Sequence, residues 1–131
     1  MQELKVELNN KEIFPLEKDF TREWRKILED KWYLFDKISD GSLWYKLIDA
    51  YIATNINSYV CEIKVIPGYT FNLNKIRSNQ WTGLEINHNL KCKQESIVVV
   101  YSKKADKYTI IPFWIIAHFN RVGRIKLTFT Q

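Results

Sequence analysis

The run Tyr59–Ile66 constrains this chain more than any other. It reads Tyr-Val-Cys-Glu-Ile-Lys-Val-Ile. Residues two apart in a strand share a face. Tyr59, Cys61, Ile63 and Val65 therefore line one face, suited to a core, and Glu62 and Lys64 share the other. Upstream, Leu43 to Ala53 reads as a second strand. There Ile48, Ala50 and Ile52 take one face, and Leu47, Asp49 and Tyr51 the opposite one. Thr54-Asn55-Ile56-Asn57-Ser58 lies between, and its Asn and Ser residues favour a turn. The two runs predict an antiparallel hairpin that brings Asp49 and Glu62 onto one surface.

The spacing acid-x-Lys occurs twice more, in Glu3-Leu4-Lys5 and Glu29-Asp30-Lys31. The first has no upstream acid in a strand. The second ends a predicted helix, where residues two apart do not face each other. Only Glu62-Ile63-Lys64 has strand geometry and a second acid across a turn.

Around this hairpin the chain alternates helices and strands. Residues 1–15 read as an N-terminal arm or short strand ended by Pro15. A helix is predicted from Leu16 or Phe20 to Asp30, capped by Asp19, with Phe20, Trp24, Ile27 and Leu28 as its apolar stripe. Glu23 flanks that stripe. Trp32–Ile38 is strand-like, and Ser39-Asp40-Gly41-Ser42 is a turn. Pro67-Gly68 ends the Tyr59–Ile66 strand. A second helix is predicted over Asn72–Asn87, from Leu73, Ile76, Trp81 or Gln80, and Leu84. Ile97-Val98-Val99-Val100 is apolar throughout, as in a central buried strand. After a charged turn at Lys103–Lys107 come a strand at Tyr108–Ile111, a short helix at Pro112–His118 and a strand at Ile125–Phe129. The expectation is an α/β domain spanning 1–131, a mixed sheet of about five strands flanked by helices. A Rossmann fold is excluded: the chain lacks a Gly-rich strand-to-helix turn and has only 4 glycines.

Hydrophobic content of 46% is enough for a core in a single domain. No apolar run approaches the roughly 18 residues of a membrane span. Met1-Gln2-Glu3-Leu4-Lys5 is polar and does not read as a signal peptide. With 2 cysteines, Cys61 on a core face, the chain lacks the ligands for a zinc or iron–sulfur site, and a reducing cytoplasm is expected. Charge is unevenly placed. Residues 1–65 hold 10 basic and 12 acidic residues, whereas 66–131 hold 10 basic and 3 acidic. A basic second half suits a polyanion, and equally a solvated basic surface. Lys75, Arg77, Lys91, Lys93, Arg121 and Arg124 are its candidate phosphate contacts. His88 and His118 are the 2 histidines, lack triad partners, and read as structural.

The chain resembles the PD-(D/E)xK nuclease superfamily over roughly residues 16–118, and within it the RecU-type and archaeal Holliday-junction resolvases. The resemblance rests on Asp49, on Glu62-Ile63-Lys64, and on Phe71-x-Leu73-x-x-Ile76-x-x-x-Gln80. It continues through Val98–Ser102 and Tyr108–Ile111. It implies a restriction-endonuclease-like core and Mg²⁺, with Mn²⁺ able to substitute. Asp49 and Glu62 become metal ligands, with the Ile63 carbonyl and Glu23 contributing further oxygens. Lys64 orients water or stabilises the phosphate, and Gln80 hydrogen-bonds one of them. The ordinary alternatives are a weak cross-strand surface pair for Asp49 and Glu62-Lys64, and surface roles for Glu23 and Gln80. One departure is that Thr54–Ser58 is too short for the stalk of RecU-type enzymes. The reading is therefore a Mg²⁺-dependent endonuclease acting on branched DNA as a homodimer, with Trp32, Trp44 and Trp114 as interface candidates. A restriction, repair or mobile-element endonuclease, or an inactive DNA-binding or assembly module, are the alternatives.

Overall fold

A computed structural model describes residues 17–37, 48–90 and 94–129. Along the chain run α1 (Glu17–Asp30), β1 (Leu34–Lys37), β2 (Ala50–Ala53), β3 (Ser58–Ile66) and β4 (Thr70–Asn72). A 3₁₀ turn (Leu73–Lys75) leads to α2 (Ser78–Asn89), β5 (Gln94–Ser102), β6 (Lys107–Pro112), α3 (Phe113–Arg121) and β7 (Lys126–Thr128).

Five strands form one sheet in the order β1-β2-β3-β5-β6. β3 and β5 pair in parallel, with Glu62 opposite Val98 and Lys64 opposite Val100, and the other pairs are antiparallel. A parallel pair needs a crossover, and α2 lies within this one. The central strands are buried on both faces, which explains the unbroken apolar run in β5. On one face α1 sets Phe20, Trp24 and Leu28 against Ile52, Tyr59, Cys61, Ile63, Val99 and Tyr101. Phe20 stacks on Tyr101 at 4.8 Å between centroids. On the other face Leu84 of α2, with Phe113 and Ile116 of α3, packs on Val60, Val98 and Val100. β4 and β7 form a separate antiparallel ribbon, with Phe71 opposite Leu127.

Several expectations change. Asp19 is inside α1, beside Arg22 at 3.3 Å, rather than at its cap. The helix predicted from Asn72 is interrupted. Asn72 closes β4, and its side chain turns back to accept the Asn74 N–H at 2.9 Å. Ile76 and Arg77 are extended before α2 begins. The final strand, whose partner the sequence left open, pairs with β4. Ile48 does not share a face with Ala50 and Ile52, because it belongs to the opposite core. The expected arm at 1–15, the Ser39–Ser42 turn and Trp44 lie outside the described residues.

Candidate active site

The site forms where β2 begins alongside β3. Ala50 faces Cys61, yet the Asp49 N–H also donates to the Cys61 carbonyl, at 3.0 Å. Two residues of one strand thus meet one of the other, which is the geometry of a β-bulge. The extra residue explains why Ile48 falls on the opposite core. It also frees the Asp49 side chain to continue the ladder: its Oδ2 accepts the Ile63 N–H at 2.8 Å.

Glu62 and Asp49 are buried, at 1% and 4% exposure. Neither Glu62 oxygen has a hydrogen-bond partner, and Lys64 Nζ lies 3.6 Å from Oε1. Burial, and then the Asp49 carboxyl beside it, push Glu62 from an ordinary 4.5 up to about 9, with Lys64 partly offsetting the rise. Two ionised carboxylates cannot hydrogen-bond each other, so they must share a proton or a cation. Burying an unsatisfied carboxylate costs several kcal/mol on the order of magnitude scale. A hard divalent cation satisfies such oxygens, and Mg²⁺ needs only one or two carboxylates alongside water and phosphate. Asp49 and Glu62 offer hard oxygens of the kind Mg²⁺ takes, and among the described residues no group of three His, Cys, Asp or Glu could hold a metal.

Lys64 is held from α2. Its Nζ donates to Gln80 Oε1 at 2.9 Å, and the same oxygen accepts the Arg77 N–H at 2.9 Å. Gln80 thus caps the helix and fixes the ammonium together. At the other end of α2, Asn87 Nδ2 donates to Ser96 Oγ at 2.9 Å, and Ser96 Oγ donates to the Leu84 carbonyl at 2.7 Å. Buried bonds of this kind pin α2 to β5 and set the height of Gln80 over β3.

Glu17 of α1, which the sequence reading did not name, adds its charge to the electrostatics of this site. Glu17 carries enough field to raise both Cys61 and Glu62, after burial and their nearer neighbours. Glu23 pairs along its own helix with Lys26 at 3.8 Å. The signal was present in the helical period. Glu17 is in phase with buried Phe20, Thr21, Trp24 and Leu28, and Glu23 is off that stripe. Cys61 is a buried thiol on the core side, raised well above its usual range by desolvation.

Lys75, Arg77, Arg121 and Arg124 are exposed. The Leu73 N–H donates to the Ile125 carbonyl at 2.8 Å, joining the approach to α2, which carries Lys75 and Arg77, with the exit from α3, which carries Arg121 and Arg124. Lys91 and Lys93 lie outside the described residues. Ile63 is buried, and its N–H is the group tied to Asp49.

A mixed five-stranded sheet with helices on both faces is a restriction-endonuclease-like fold. Among solved structures the chain is similar to Hjc of Archaeoglobus fulgidus, a Holliday junction resolvase from an archaeal hyperthermophile. The likeness has a TM-score of 0.61 at 13% identity and covers 83% of this chain and 84% of that one. No protein-family model matches the chain, and no curated protein matches it by sequence. Among the described residues no helix is long and apolar enough to cross a membrane.

Proposed function

We propose that this chain is a Mg²⁺-dependent endodeoxyribonuclease acting on branched DNA. The observation that carries the reading is Glu62: buried, without a hydrogen-bond partner, beside Asp49 and one pleat from an anchored ammonium. Asp49 and Glu62 hold the cation, helped by the Ile63 carbonyl. Of the two α1 acids, Glu17 is the one in phase with the buried stripe, and it adds negative field at the pair from outside the ligand set. A bound Mg²⁺ supplies charge neutralisation and an acidified water. Lys64 meets the non-bridging phosphate oxygens with a fixed positive charge. Gln80 is a positioning residue that keeps the Lys64 ammonium aimed. The basic residues around α2 and the ribbon take the flanking phosphates.

A four-way junction presents two equivalent strands, so symmetric cutting calls for a two-fold homodimer. Trp32 and Trp114, 95% and 52% exposed, are available for its interface. The likeness to an archaeal resolvase supports junction DNA as the substrate. The test is incubation with Mg²⁺ and labelled junction, linear duplex and single-stranded DNA, beside solution mass. Paired symmetric cuts in the junction by a dimer are expected. A monomer that nicks linear duplex as readily would remove the junction reading and leave the nuclease.

A further inference from the structure

Arg77, the N-cap of α2, suits its place in the helix badly. N-caps favour Ser, Thr, Asp and Asn, whose side chains accept an N–H of the first turn. A guanidinium has no acceptor, and its charge opposes the positive end of the helix dipole. The first turn of α2 holds no acid to offset it. Gln80 supplies the cap by accepting the Arg77 N–H, so the Arg77 side chain adds nothing there. A residue that breaks the local rule without a local gain points to a contact outside the helix. We infer, on the nuclease reading above, that Arg77 binds the phosphate next to the scissile one on the cut strand, and so fixes which bond is hydrolysed.

The backbone of Arg77 is fixed on both sides. Ile76 before it is buried with Leu73 and Leu84. Its own carbonyl accepts the Trp81 N–H at 2.8 Å. The side chain is exposed and, among the described residues, has no carboxylate partner. Arg22 and Arg25, by contrast, pair with Asp19 and Glu29 along α1, and Arg124 lies over the Phe119 ring. Glu85, further along α2, accepts from Trp81 Nε1 at 3.3 Å. A fixed base with an unengaged charged head loses little freedom on binding an anion.

Position selects the phosphate. Gln80 Oε1 accepts both the Arg77 N–H and the Lys64 ammonium, so one oxygen ties the base of Arg77 to Lys64. In the reading above, Lys64 meets the scissile phosphate. A phosphodiester has two non-bridging oxygens, and the cation and Lys64 take them. The Arg77 head, on a long stem starting beside Lys64, is left for the neighbouring phosphate. A strand carries one phosphate per about 3.4 Å of duplex axis, so that phosphate is close by. The planar fork of a guanidinium grips two oxygens of one phosphate at once. Two cations on one rigid anchor thus measure one internucleotide step.

The consequence is a loss of register, and not only of rate, when the fork is removed. Asp49, Glu62 and Lys64 stay in place without Arg77, because none of them bonds to its side chain. The strand then seats either neighbouring phosphate at the carboxylates. A lysine at this position keeps the charge and loses the fork. The helix itself loses nothing, since its cap comes from Gln80.

The experiment follows single-turnover cleavage by the full chain, with Mg²⁺, of a four-way junction and a linear duplex, each with one labelled strand, and maps the cut to the nucleotide. An uncharged methylphosphonate then replaces the phosphate on either side of the cut in turn. For the wild type, one replacement should lower the rate about tenfold, the scale of one lost charged contact, and the other should have little effect. Arg77→Ala should show that tenfold loss on unmodified DNA, no further loss with the methylphosphonate, and cuts spread over neighbouring bonds. Arg77→Lys should bind DNA in EDTA as the wild type does, yet still spread its cuts. The melting temperature of Arg77→Ala should be unchanged or higher, because α2 sheds an opposed charge. A single unshifted cut by Arg77→Ala overturns the inference, as does a loss to which both methylphosphonates still add. A lowered melting temperature with the cut site kept would mark Arg77 as structural and overturns it too. These outcomes leave the nuclease reading standing, whereas a wild type that cuts neither DNA removes that reading and the inference together.

Discussion

Gln80 Oε1 lies 2.9 Å from Lys64 Nζ and 2.9 Å from the Arg77 backbone nitrogen, so one side-chain oxygen ends a helix and holds an ammonium. The consequence is a coupling between fold and chemistry. The tilt of α2 over the sheet determines where Lys64 points. That tilt is fixed at the far end of the helix by Asn87 and Ser96.

Substituting Gln80 therefore separates positioning from structure. Gln80→Ala should cost about 1 kcal/mol through the lost cap. It should lower the cleavage rate about 10–100-fold, with DNA affinity nearly unchanged. Gln80→Glu keeps both acceptor contacts and should restore most of the rate. Single-turnover kinetics on the two variants check this. A purely structural Gln80 would show the stability loss without the rate loss.

Removing one ligand charge at the carboxylates should abolish cleavage without weakening DNA binding. Glu62→Gln and Asp49→Asn each keep the side chain's shape. Loss of a negative charge facing phosphate should, if anything, tighten binding. Gel shifts beside cleavage assays read the two effects apart, and calorimetric titration with Mg²⁺ should show lost metal affinity.

Stability without metal should depend on pH through Glu62. Its folded pKa of about 9 exceeds its ordinary 4.5, so the folded protein keeps a proton that the unfolded chain gives up within that window. The contribution is intact below the lower value and is lost as pH climbs to the upper one. One proton corresponds to at most about 1.4 kcal/mol per pH unit. Thermal melts in EDTA should fall across this range for the wild type and flatten for Glu62→Gln. Mg²⁺ should raise the wild-type melting temperature most at alkaline pH, since it displaces the proton.

The two α1 acids should behave differently. Glu17→Gln is expected to weaken Mg²⁺-dependent cleavage about tenfold or more by removing charge near Glu62. Glu23→Gln should lose only its pairing with Lys26 at 3.8 Å, a contact worth well under about 1 kcal/mol. Cleavage rates at several Mg²⁺ concentrations would show which acid the site uses.

Trp24 is fully buried and meets the Phe35 ring edge-on at 6.0 Å between centroids. Trp24→Ala should cost about 3–5 kcal/mol, read as a lower urea midpoint. Because Trp24 is on the α1 side of the sheet, the loss should appear in stability before it appears in Lys64 chemistry.

The sequence by itself determined the local pattern. Period two in Tyr59–Ile66 put Glu62 and Lys64 on one face, and the apolar run in β5 announced a strand buried on both sides. These properties depend only on near neighbours and on pleat geometry, so they were legible without a fold. The phase of α1 belonged to the same class of information and pointed to Glu17. What only tertiary structure decided was where the pattern breaks. The bulge at Asp49 sends Ile48 to the opposite core, because Asp49 meets the Ile63 N–H with its side chain. The helix read from Asn72 starts late, because Thr70–Asn72 finds a strand partner more than fifty residues away in β7. Gln80 was named as a site residue from resemblance, but the two hydrogen bonds it accepts, from Lys64 and from the Arg77 N–H, required α2 to be pinned on the sheet. Pairings between distant segments are set by which partner arrives and by what must be buried, and no local period records them.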